Sequence, residues 1–485
     1  MSSPSWTLLC FLVLAFSARA SPVRQDLGSS LFAHVNHAKS SRAEQSVSTA
    51  VQNITDAGMF NAANATKELK SVMAKYANAD KVLAGIGLHP DTHPEQGYPK
   101  FSPPSLSNLR VSNGAPNGFS PALPDTPSFN TTTDPSESAD GIIGVPPVGP
   151  EPGVTVHMPL TDYNSGSMDI LYYGPMQFGS GGTSMQIDVD TGSADLWVPV
   201  DCKGCQNKMF QTSSSTTYTS SSTHKCKITY GTGQISGTLA QDSVAIGPVN
   251  IPRQTFCAAH KVSDDFDEEP SDGLLGLAFG SIAQSGAPTW FENLLEEKKL
   301  AASVFSVHLT RGKAKGSEVC FGCFDPTKTM GPVMWNPVIS RTYWSIAMDG
   351  LSVNGTQSPP ANLTAAVDTG TSLIYLPDSV ASDFYSLIPG SAPAVQYGAG
   401  FYTFPCDTAL SVSLVLGGQA YAIHPSDFNL GRTDEDSSDC VGGILALGNG
   451  FPTDLAIVGD EFLKSWYSVF DYAGRVGFAP SVNNR

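Results

Sequence analysis

Two short acidic segments of the chain are nearly identical. The segment Asp190-Thr-Gly-Ser-Ala-Asp-Leu-Trp-Val-Pro199 returns 178 positions later as Asp368-Thr-Gly-Thr-Ser-Leu-Ile-Tyr-Leu-Pro377. One Asp-Thr-Gly triplet is weak evidence, because short motifs recur by chance. Here, however, each copy follows an apolar, strand-like run and ends it in a tight glycine turn. The pair therefore predicts two carboxylates that face each other.

Two facing carboxylates can carry out general acid and base chemistry. When they lie a hydrogen bond apart, ionising both carboxyl groups is energetically unfavourable, because the two negative charges repel each other. The pair therefore shares one proton and titrates as a unit. The ionised member can take a proton from a bound water while the protonated member polarises a carbonyl group. Such a pair hydrolyses a bond without a covalent intermediate, and either Asp190 or Asp368 can be the protonated member.

The surrounding sequence predicts the elements that position this pair. From Val154 onward the chain reads as short strands separated by glycine turns, which indicates an all-β protein with one clear helix over residues 291–300. The repeat extends beyond the acidic turns, because Gly276 lies 86 positions after Asp190 and Gly459 lies 91 positions after Asp368. We therefore predict a domain-scale duplication with lobes at residues 154–335 and 336–485.

The N-terminal sequence and the cysteine content indicate export. An apolar run over residues 6–16 precedes Ala18-Arg-Ala20, which predicts a signal peptide over residues 1–20; the alternative, a membrane anchor, would need a longer run. Eight cysteines then remain, an even number that suggests disulfides. Five Asn-x-Ser/Thr sequons fit glycosylation, at Asn53, Asn64, Asn130, Asn354 and Asn362. We expect a secreted, extracellular protein, with a vacuolar location as the alternative.

Charge and motif content exclude several functions. The net charge of −17 argues against nucleic acid as a partner, and no apolar segment beyond the signal peptide predicts a membrane partner. The two Cys-x-x-Cys pairs are separated by 114 residues, and an exported chain passes through an oxidising compartment. Both points disfavour a zinc site. No His-Glu-x-x-His motif is present. We predict neither a metal nor a cofactor.

The chain resembles the pepsin family of aspartic endopeptidases over residues 160–480, and most closely the secreted fungal members. Besides the two acidic turns, the resemblance rests on Ile228-Thr-Tyr-Gly-Thr-Gly233, Asp272-Gly-Leu-Leu-Gly-Leu-Ala278, Val469-Phe-Asp471 and Val476-Gly-Phe-Ala-Pro480. It implies an all-β, bilobal pepsin-like fold with a substrate cleft between two β-lobes. It also implies a monomer that hydrolyses proteins and peptides with Asp190 and Asp368 as catalytic residues.

The resemblance assigns roles to the neighbouring residues. Thr191 and Thr369 would cross-link the two turns. Ser193 and Thr371 would hydrogen-bond to the outer carboxylate oxygens. Gly192 and Gly370 would let the backbone come close to the carboxylates, because glycine has no Cβ. Tyr230 would lie at the flap tip with Gly231 and Thr232, hydrogen-bonded towards Trp197. Leu274 resembles a lining residue of the substrate pocket, and the uncharged Thr232 favours hydrophobic substrate residues. The alternative for these flanking residues is ordinary turn and core packing.

The resemblance also suggests disulfide pairs. Cys406 and Cys440 resemble a family disulfide. Cys202 with Cys205, Cys226 with Cys257 and Cys320 with Cys323 are further candidates, although the first four of these cysteines allow three pairings.

The segment before the lobes reads as a propeptide over residues 21–153. Residues 21–100 contain 8 Lys and Arg against 7 Asp and Glu, whereas residues 154–485 contain 17 against 32. Residues 65–83 show helical spacing, and the Pro- and Ser-rich stretch that follows, over residues 101–152, reads as a linker. Lys75 of the Lys75-Tyr76 pair resembles the prosegment lysine that binds the dyad. We expect the protein's own propeptide to act as its inhibitor, to be released by acid and to be removed by self-cleavage near residues 149–154.

A pepsin-like fold can also serve as a binding protein without activity. Inactive relatives usually lose an aspartate, a turn glycine or the flap tyrosine, and this chain retains all of them. The sequence therefore favours an enzyme.

Overall fold

The structure is a computed structural model that describes residues 58–85, 153–165, 168–230, 233–448 and 451–485, with side chains in the first range described as far as residue 76. The predicted signal peptide and the linker up to residue 152 lie outside these ranges, as do Gly231 and Thr232 of the predicted flap. Within them, no helix combines the length and the apolar character needed to cross a membrane.

Short strands dominate the chain from residue 154 onward, which confirms the predicted all-β class. Buried and exposed side chains alternate along the first of them, as expected for strands with one face on the core. The first half contains β1 (Val156–Ser165), β2 (Met168–Phe178), β3 (Thr183–Asp190), β4 (Leu196–Pro199), β5 (Thr219–Thr229), β6 (Gln234–Ile246), β7 (Val249–Val262), β8 (Gly273–Gly276), β9 (Val304–His308) and β10 (Ser317–Phe321).

The second half contains sixteen further strands among the described residues. They are β11 (Met334–Arg341), β12 (Trp344–Met348), β13 (Gly350–Val353), β14 (Thr356–Gln357), β15 (Leu363–Val367), β16 (Ile374–Leu376), β17 (Ala392–Pro393), β18 (Tyr402–Pro405), β19 (Val412–Leu416), β20 (Gln419–Ile423), β21 (Asn429–Arg432), β22 (Asp439–Gly442), β23 (Ile444–Ala446), β24 (Leu455–Val458), β25 (Trp466–Asp471) and β26 (Arg475–Pro480).

Each acidic turn is framed by the same arrangement of strands. In the first half β3 runs parallel to β8, with Asp190 opposite Gly276, and β4 runs antiparallel to β8. In the second half β15 runs parallel to β24, with Val367 opposite Val458, and β16 runs antiparallel to β24. The repeat in the sequence is therefore a repeat in the structure.

Strands from both halves share one antiparallel sheet. Its order is β1-β10-β9-β25-β26-β11, so the β9–β25 pairing joins the two halves. Phe305 of β9 stacks on Phe470 of β25 with ring centroids 4.7 Å apart. Two separate four-stranded sheets, β14-β13-β19-β20 and β17-β18-β22-β21, complete the second half.

Among the described residues, helices are few and mostly short. The longest, α1 (Ala62–Gly85), covers and extends the predicted helix over residues 65–83. The others are α2 (Asp264–Asp267), α3 (Trp290–Glu296), α4 (Asp378–Ser386), α5 (Pro425–Phe428) and α6 (Asp460–Leu463). Single 3₁₀ turns occupy Thr212–Ser214, Gly280–Ile282, Pro326–Lys328, Val395–Tyr397 and Val482–Asn484.

Helix α3 is shorter than the predicted 291–300. It begins at a capping box in which Thr289 and Glu292 exchange side-chain to backbone hydrogen bonds. It ends at Glu296 because Lys298 adopts left-handed backbone (φ 53°) and Leu300 pairs with Val154.

The described part of the chain contains four disulfides, and they join the pairs suggested by the resemblance. They are Cys202–Cys205, Cys226–Cys257, Cys320–Cys323 and Cys406–Cys440.

Candidate active site

Asp190 and Asp368 lie at the two equivalent turns and are buried. Asp190 Oδ1 accepts the Gly192 N–H at 2.8 Å, and Asp368 Oδ1 accepts the Gly370 N–H at 3.0 Å. A Cβ atom on Gly192 would collide with the Asp368 carboxylate, and one on Gly370 would collide with the Asp190 carboxylate. Each turn therefore packs directly against the carboxylate of the other, and only glycine fits at these two positions.

Two threonines connect the turns. Thr191 Oγ1 donates to the Val367 carbonyl at 2.8 Å, and Thr369 Oγ1 donates to the Val189 carbonyl at 2.7 Å. Each hydroxyl also accepts a backbone N–H from the opposite turn. These four bonds fix the relative position of the two carboxylates.

The outer carboxylate oxygens are bound unequally. Thr371 Oγ1 donates to Asp368 Oδ2 at 2.5 Å, in line with its expected role. Ser193 differs from the expectation, because its hydroxyl is buried and makes no hydrogen bond of normal geometry. The Ser193 hydroxyl acts to lower the pKa of Tyr230, but burial of the phenol outweighs it.

Tyr230 is buried where the β5–β6 hairpin turns, and its N–H donates to the Gly233 carbonyl at 2.9 Å. Its ring packs edge-on against Phe266 at 5.3 Å and belongs to an apolar cluster with Trp197 and Leu274. The expected bond from Tyr230 to Trp197 is not formed with normal geometry, since the Tyr230 hydroxyl and Trp197 Nε1 both lack a partner in the described structure. Burial, reinforced by nearby carboxylates, raises the pKa of Tyr230 well above its ordinary value, so the hydroxyl keeps its proton.

Comparison with known proteins identifies this arrangement. A family model described as eukaryotic aspartyl protease matches residues 171–481. The chain belongs to this family. It is an aspartic-type endopeptidase of the pepsin kind.

Several curated relatives are pepsin-like proteases. The chain is 37% identical over 332 residues to an aspartic protease of Phaffia rhodozyma, covering 67% of this chain and 78% of the relative. It is 36% identical over 314 residues to penicillopepsin-3 of Penicillium janthinellum, covering 62% and 76%. Rhizopuspepsin of Rhizopus chinensis is 32% identical over 400 residues, covering 80% and 94%.

Helix α1 of the protease lies directly on the two aspartates. Lys75 Nζ donates to Asp190 Oδ1 at 2.7 Å and to Asp368 Oδ2 at 2.9 Å. The Tyr76 hydroxyl donates to Asp368 Oδ2 at 3.0 Å, and its ring packs 4.9 Å from that of Tyr343. The aspartates are therefore covered and charge-neutralised by a segment from outside the matched family region.

The ammonium group does not affect both carboxylates equally. Burial raises the pKa of Asp190, and this outweighs the opposing charge of Lys75, so the pKa is about 6. Burial also disfavours the charged form of Asp368, but there Lys75 and the hydrogen bonds prevail and hold the pKa below 3.8. Lys75 therefore dominates the pKa of Asp368, whereas at Asp190 desolvation is the larger effect.

Glu68 is a second anchor of helix α1 in the protease, and no sequence pattern predicted it. Glu68 Oε1 accepts the N–H groups of Ser372 at 2.6 Å and Leu373 at 3.1 Å, which directly follow the Asp368 turn. Burial raises its pKa to about 7, and the nearby Asp368 charge adds to this increase. An acidic residue on a predicted propeptide helix gave no sign of this contact, because the partner is backbone.

The segment before α1 adds a backbone contact. The Arg432 N–H donates to the Gly58 carbonyl at 2.7 Å, and the Phe60 N–H donates to the Arg432 carbonyl at 2.9 Å. The Phe60 ring packs edge-on against Tyr397 at 5.0 Å. The segment thus lies along β21, at the edge of its sheet.

A third carboxyl group lies close to the aspartate pair of the protease. Asp188 precedes Asp190 by two positions in β3, so both side chains point to the same face of the strand. Asp188 Oδ1 is buried without a hydrogen-bond partner in the described structure. Burial, together with the charge of Asp190, raises its pKa well above the ordinary value. Burial and the charge of Asp190 thus favour the protonated form of Asp188.

Proposed function

We propose that this protease is made as a secreted zymogen and hydrolyses peptide bonds at acid pH with Asp190 and Asp368. The observation that carries the proposal is the pair of buried carboxylates, one from each repeat, with Lys75 Nζ bound to both. A pair held by equivalent turns suits an enzyme, and a lysine on the pair suits its inactive precursor.

In the proposed mechanism the two carboxylates share one proton once helix α1 has left. The ionised carboxylate takes a proton from a water held between them while the protonated one polarises the scissile carbonyl. The water oxygen attacks the carbonyl carbon, and the proton later passes to the leaving nitrogen. Thr191 and Thr369 support this step by keeping the carboxylates at a fixed separation.

The apolar surroundings support a preference for hydrophobic residues around the scissile bond. Leu274, Trp197 and Phe266 pack around Tyr230 on the first-lobe side of the site. Thr232 of the flap sequence carries no charge that could attract a basic residue. Tyr230 is the residue we propose to close over the substrate and exclude water, together with Gly231 and Thr232.

Helix α1 supports the zymogen proposal. Lys75 and Tyr76 together bind Asp190 Oδ1 and both oxygens of Asp368, so three of the four carboxylate oxygens of the pair are already occupied. The N-terminal sequence supports export, since residues 1–20 read as a signal peptide. A vacuolar destination is the alternative, and cell fractionation separates the two.

The proposed mechanism is tested by inhibition and by substitution. A pepstatin-type inhibitor should titrate the cleavage of denatured protein at acid pH, one inhibitor per enzyme. Asp190→Asn and Asp368→Asn should each abolish cleavage while the thermal unfolding temperature stays close to that of the parent, since asparagine keeps the shape but cannot share the proton. Appreciable cleavage by either variant would refute the dyad.

Self-processing has its own test. Purified Asp190→Asn precursor is held at acid pH, first alone and then with a trace of active enzyme. We expect processing near residues 149–154 only after enzyme is added. Processing of the variant alone would refute self-cleavage.

A further inference from the structure

The disulfide Cys320–Cys323 lies next to a histidine ring. His157 of β1 is the direct cross-strand neighbour of Cys320 of β10, so both side chains lie on the same face of the sheet. His157 Nε2 is 3.5 Å from Cys320 Sγ. In the described part of the chain, no other disulfide sulfur has a histidine within hydrogen-bond distance.

The ring is held in this orientation by an acidic neighbour. Glu318 lies two positions before Cys320 on the same face of β10, and its Oε2 is 3.4 Å from His157 Nδ1. A carboxylate on one ring nitrogen favours a proton there and orients the other nitrogen towards its partner. The imidazolium form of His157 would therefore donate to Cys320 Sγ.

The two sulfurs differ in access. Cys320 is fully buried, whereas Cys323 is half-buried, and the His157 side chain is 50% exposed. An incoming thiolate can therefore reach Cys323 more readily than Cys320. Attack on Cys323 makes Cys320 the leaving group, which is the sulfur that faces the imidazole.

We propose that Cys320–Cys323 is a thiol-exchange site for small thiols of the glutathione class, with His157 as the proton donor. The thiolate of the small thiol attacks Cys323 Sγ, the disulfide bond breaks, and its electron pair passes to Cys320 Sγ, which takes the proton from His157 Nε2. A second small thiol then attacks the mixed disulfide and releases the oxidised small-thiol dimer. Two small thiols are oxidised and one protein disulfide is reduced to two thiols.

The chain supplies a matched control in Cys202–Cys205. This disulfide has the same Cys-x-x-Cys spacing and also joins a buried to a half-buried cysteine, but it has no histidine neighbour among the described residues. Since exchange is faster when the leaving thiolate is stabilised, we expect Cys320–Cys323 to be reduced about tenfold faster than Cys202–Cys205.

The test measures both disulfides in one sample. The intact protein is incubated with reduced glutathione at pH 6, quenched with an alkylating reagent, and the labelling of each cysteine is followed by peptide mass spectrometry. His157→Gln should remove most of the rate advantage while leaving Cys202–Cys205 unchanged. The early mixed disulfide should be on Cys323.

The pH dependence of the reduction rates distinguishes proton donation by His157 from a purely structural role. The ratio of the two reduction rates cancels the ionisation of glutathione, and it should fall as the pH rises, because a neutral imidazole with its proton on Nδ1 has none to give from Nε2. Glu318 and Asp325 are the charged groups that face the ring. Equal rates for the two disulfides, an unchanged ratio in His157→Gln, a ratio independent of pH, or an adduct on Cys320 would each overturn the proposal.

Discussion

Thr191 and Thr369 exchange hydrogen bonds across the two repeats. The Thr369 N–H donates to Thr191 Oγ1 at 2.9 Å, and the Thr191 N–H donates to Thr369 Oγ1 at 3.1 Å. Both side chains are buried, so no water can replace these bonds. The separation of the aspartates thus depends on two hydroxyl groups that touch neither carboxylate.

Replacing Thr369 by alanine should therefore affect both stability and activity. The variant leaves the Val189 carbonyl and the Thr191 N–H buried without partners, which should lower the free energy of unfolding by about 2 kcal/mol. Denaturant unfolding of the precursor measures this loss. Thr369→Ser keeps the hydroxyl and is the control, so a serine variant as unstable as the alanine variant would contradict the role of the hydroxyl bonds.

Tyr230→Phe should be much milder than loss of either aspartate. The ring and its packing on Phe266 remain, and the hydroxyl makes no hydrogen bond of normal geometry that the precursor would lose. We expect unchanged precursor stability and a decrease in kcat/KM of about tenfold, the size of one hydrogen bond made to the closed complex. A decrease as large as in Asp190→Asn would contradict the flap assignment.

Lys75→Gln should make the precursor process itself at higher pH. The depressed pKa of Asp368 means that its contribution to helix docking is present above pH 3.8 and is lost as the pH falls through the lower, folded-state value. Without the ammonium group this contribution is absent, so the pH midpoint of processing should rise by about one unit or more. Gel analysis after a fixed time at each pH gives the midpoint.

The control for Lys75→Gln is Lys70→Gln, because Lys70 lies on the same helix and is exposed. It should leave the midpoint unchanged. Equal behaviour of the two variants would show that the lysine contact with the dyad does not hold the helix.

Glu68→Gln should remove a pH dependence of precursor stability whose sign is opposite to that of the Asp368 contribution. The pKa of Glu68 is raised from 4.5 to about 7, so its contribution favours the docked helix at low pH and is lost as the pH rises through 7. The unfolding temperature of the parent precursor should therefore fall more between pH 5.5 and pH 8 than that of Glu68→Gln. Glu297→Gln, at an exposed glutamate, is the control and should behave as the parent.

The sequence predicted the parts of the site that depend on local backbone. The Asp-Thr-Gly turns are local structures, so their repeat was enough to predict two facing carboxylates, and the same motif predicted the need for Gly192 and Gly370. The all-β class followed similarly from short strands and turns. Lys75 was indicated by resemblance to a family prosegment.

Other features depend on tertiary contacts that no local pattern records. Glu68 binds backbone more than 300 positions away, and the buried Ser193 hydroxyl has no hydrogen-bond partner in the described structure. The pKa of Asp190 is set by burial more than by the lysine beside it. Helix α3 ends early because the next residues are drawn into pairing with Val154.

The contact of residues 58–60 with β21 bears on the proposed removal of the propeptide. Gly431, at φ 117°, has no Cβ to keep another chain away, and the Gly58 carbonyl occupies that space in the precursor. If the segment is removed as proposed, the N–H and C=O of Arg432 would form an open strand edge, which can pair with water or with any extended backbone that reaches it. The proposed maturation would therefore expose a strand edge for β-strand addition as well as the Asp190–Asp368 pair.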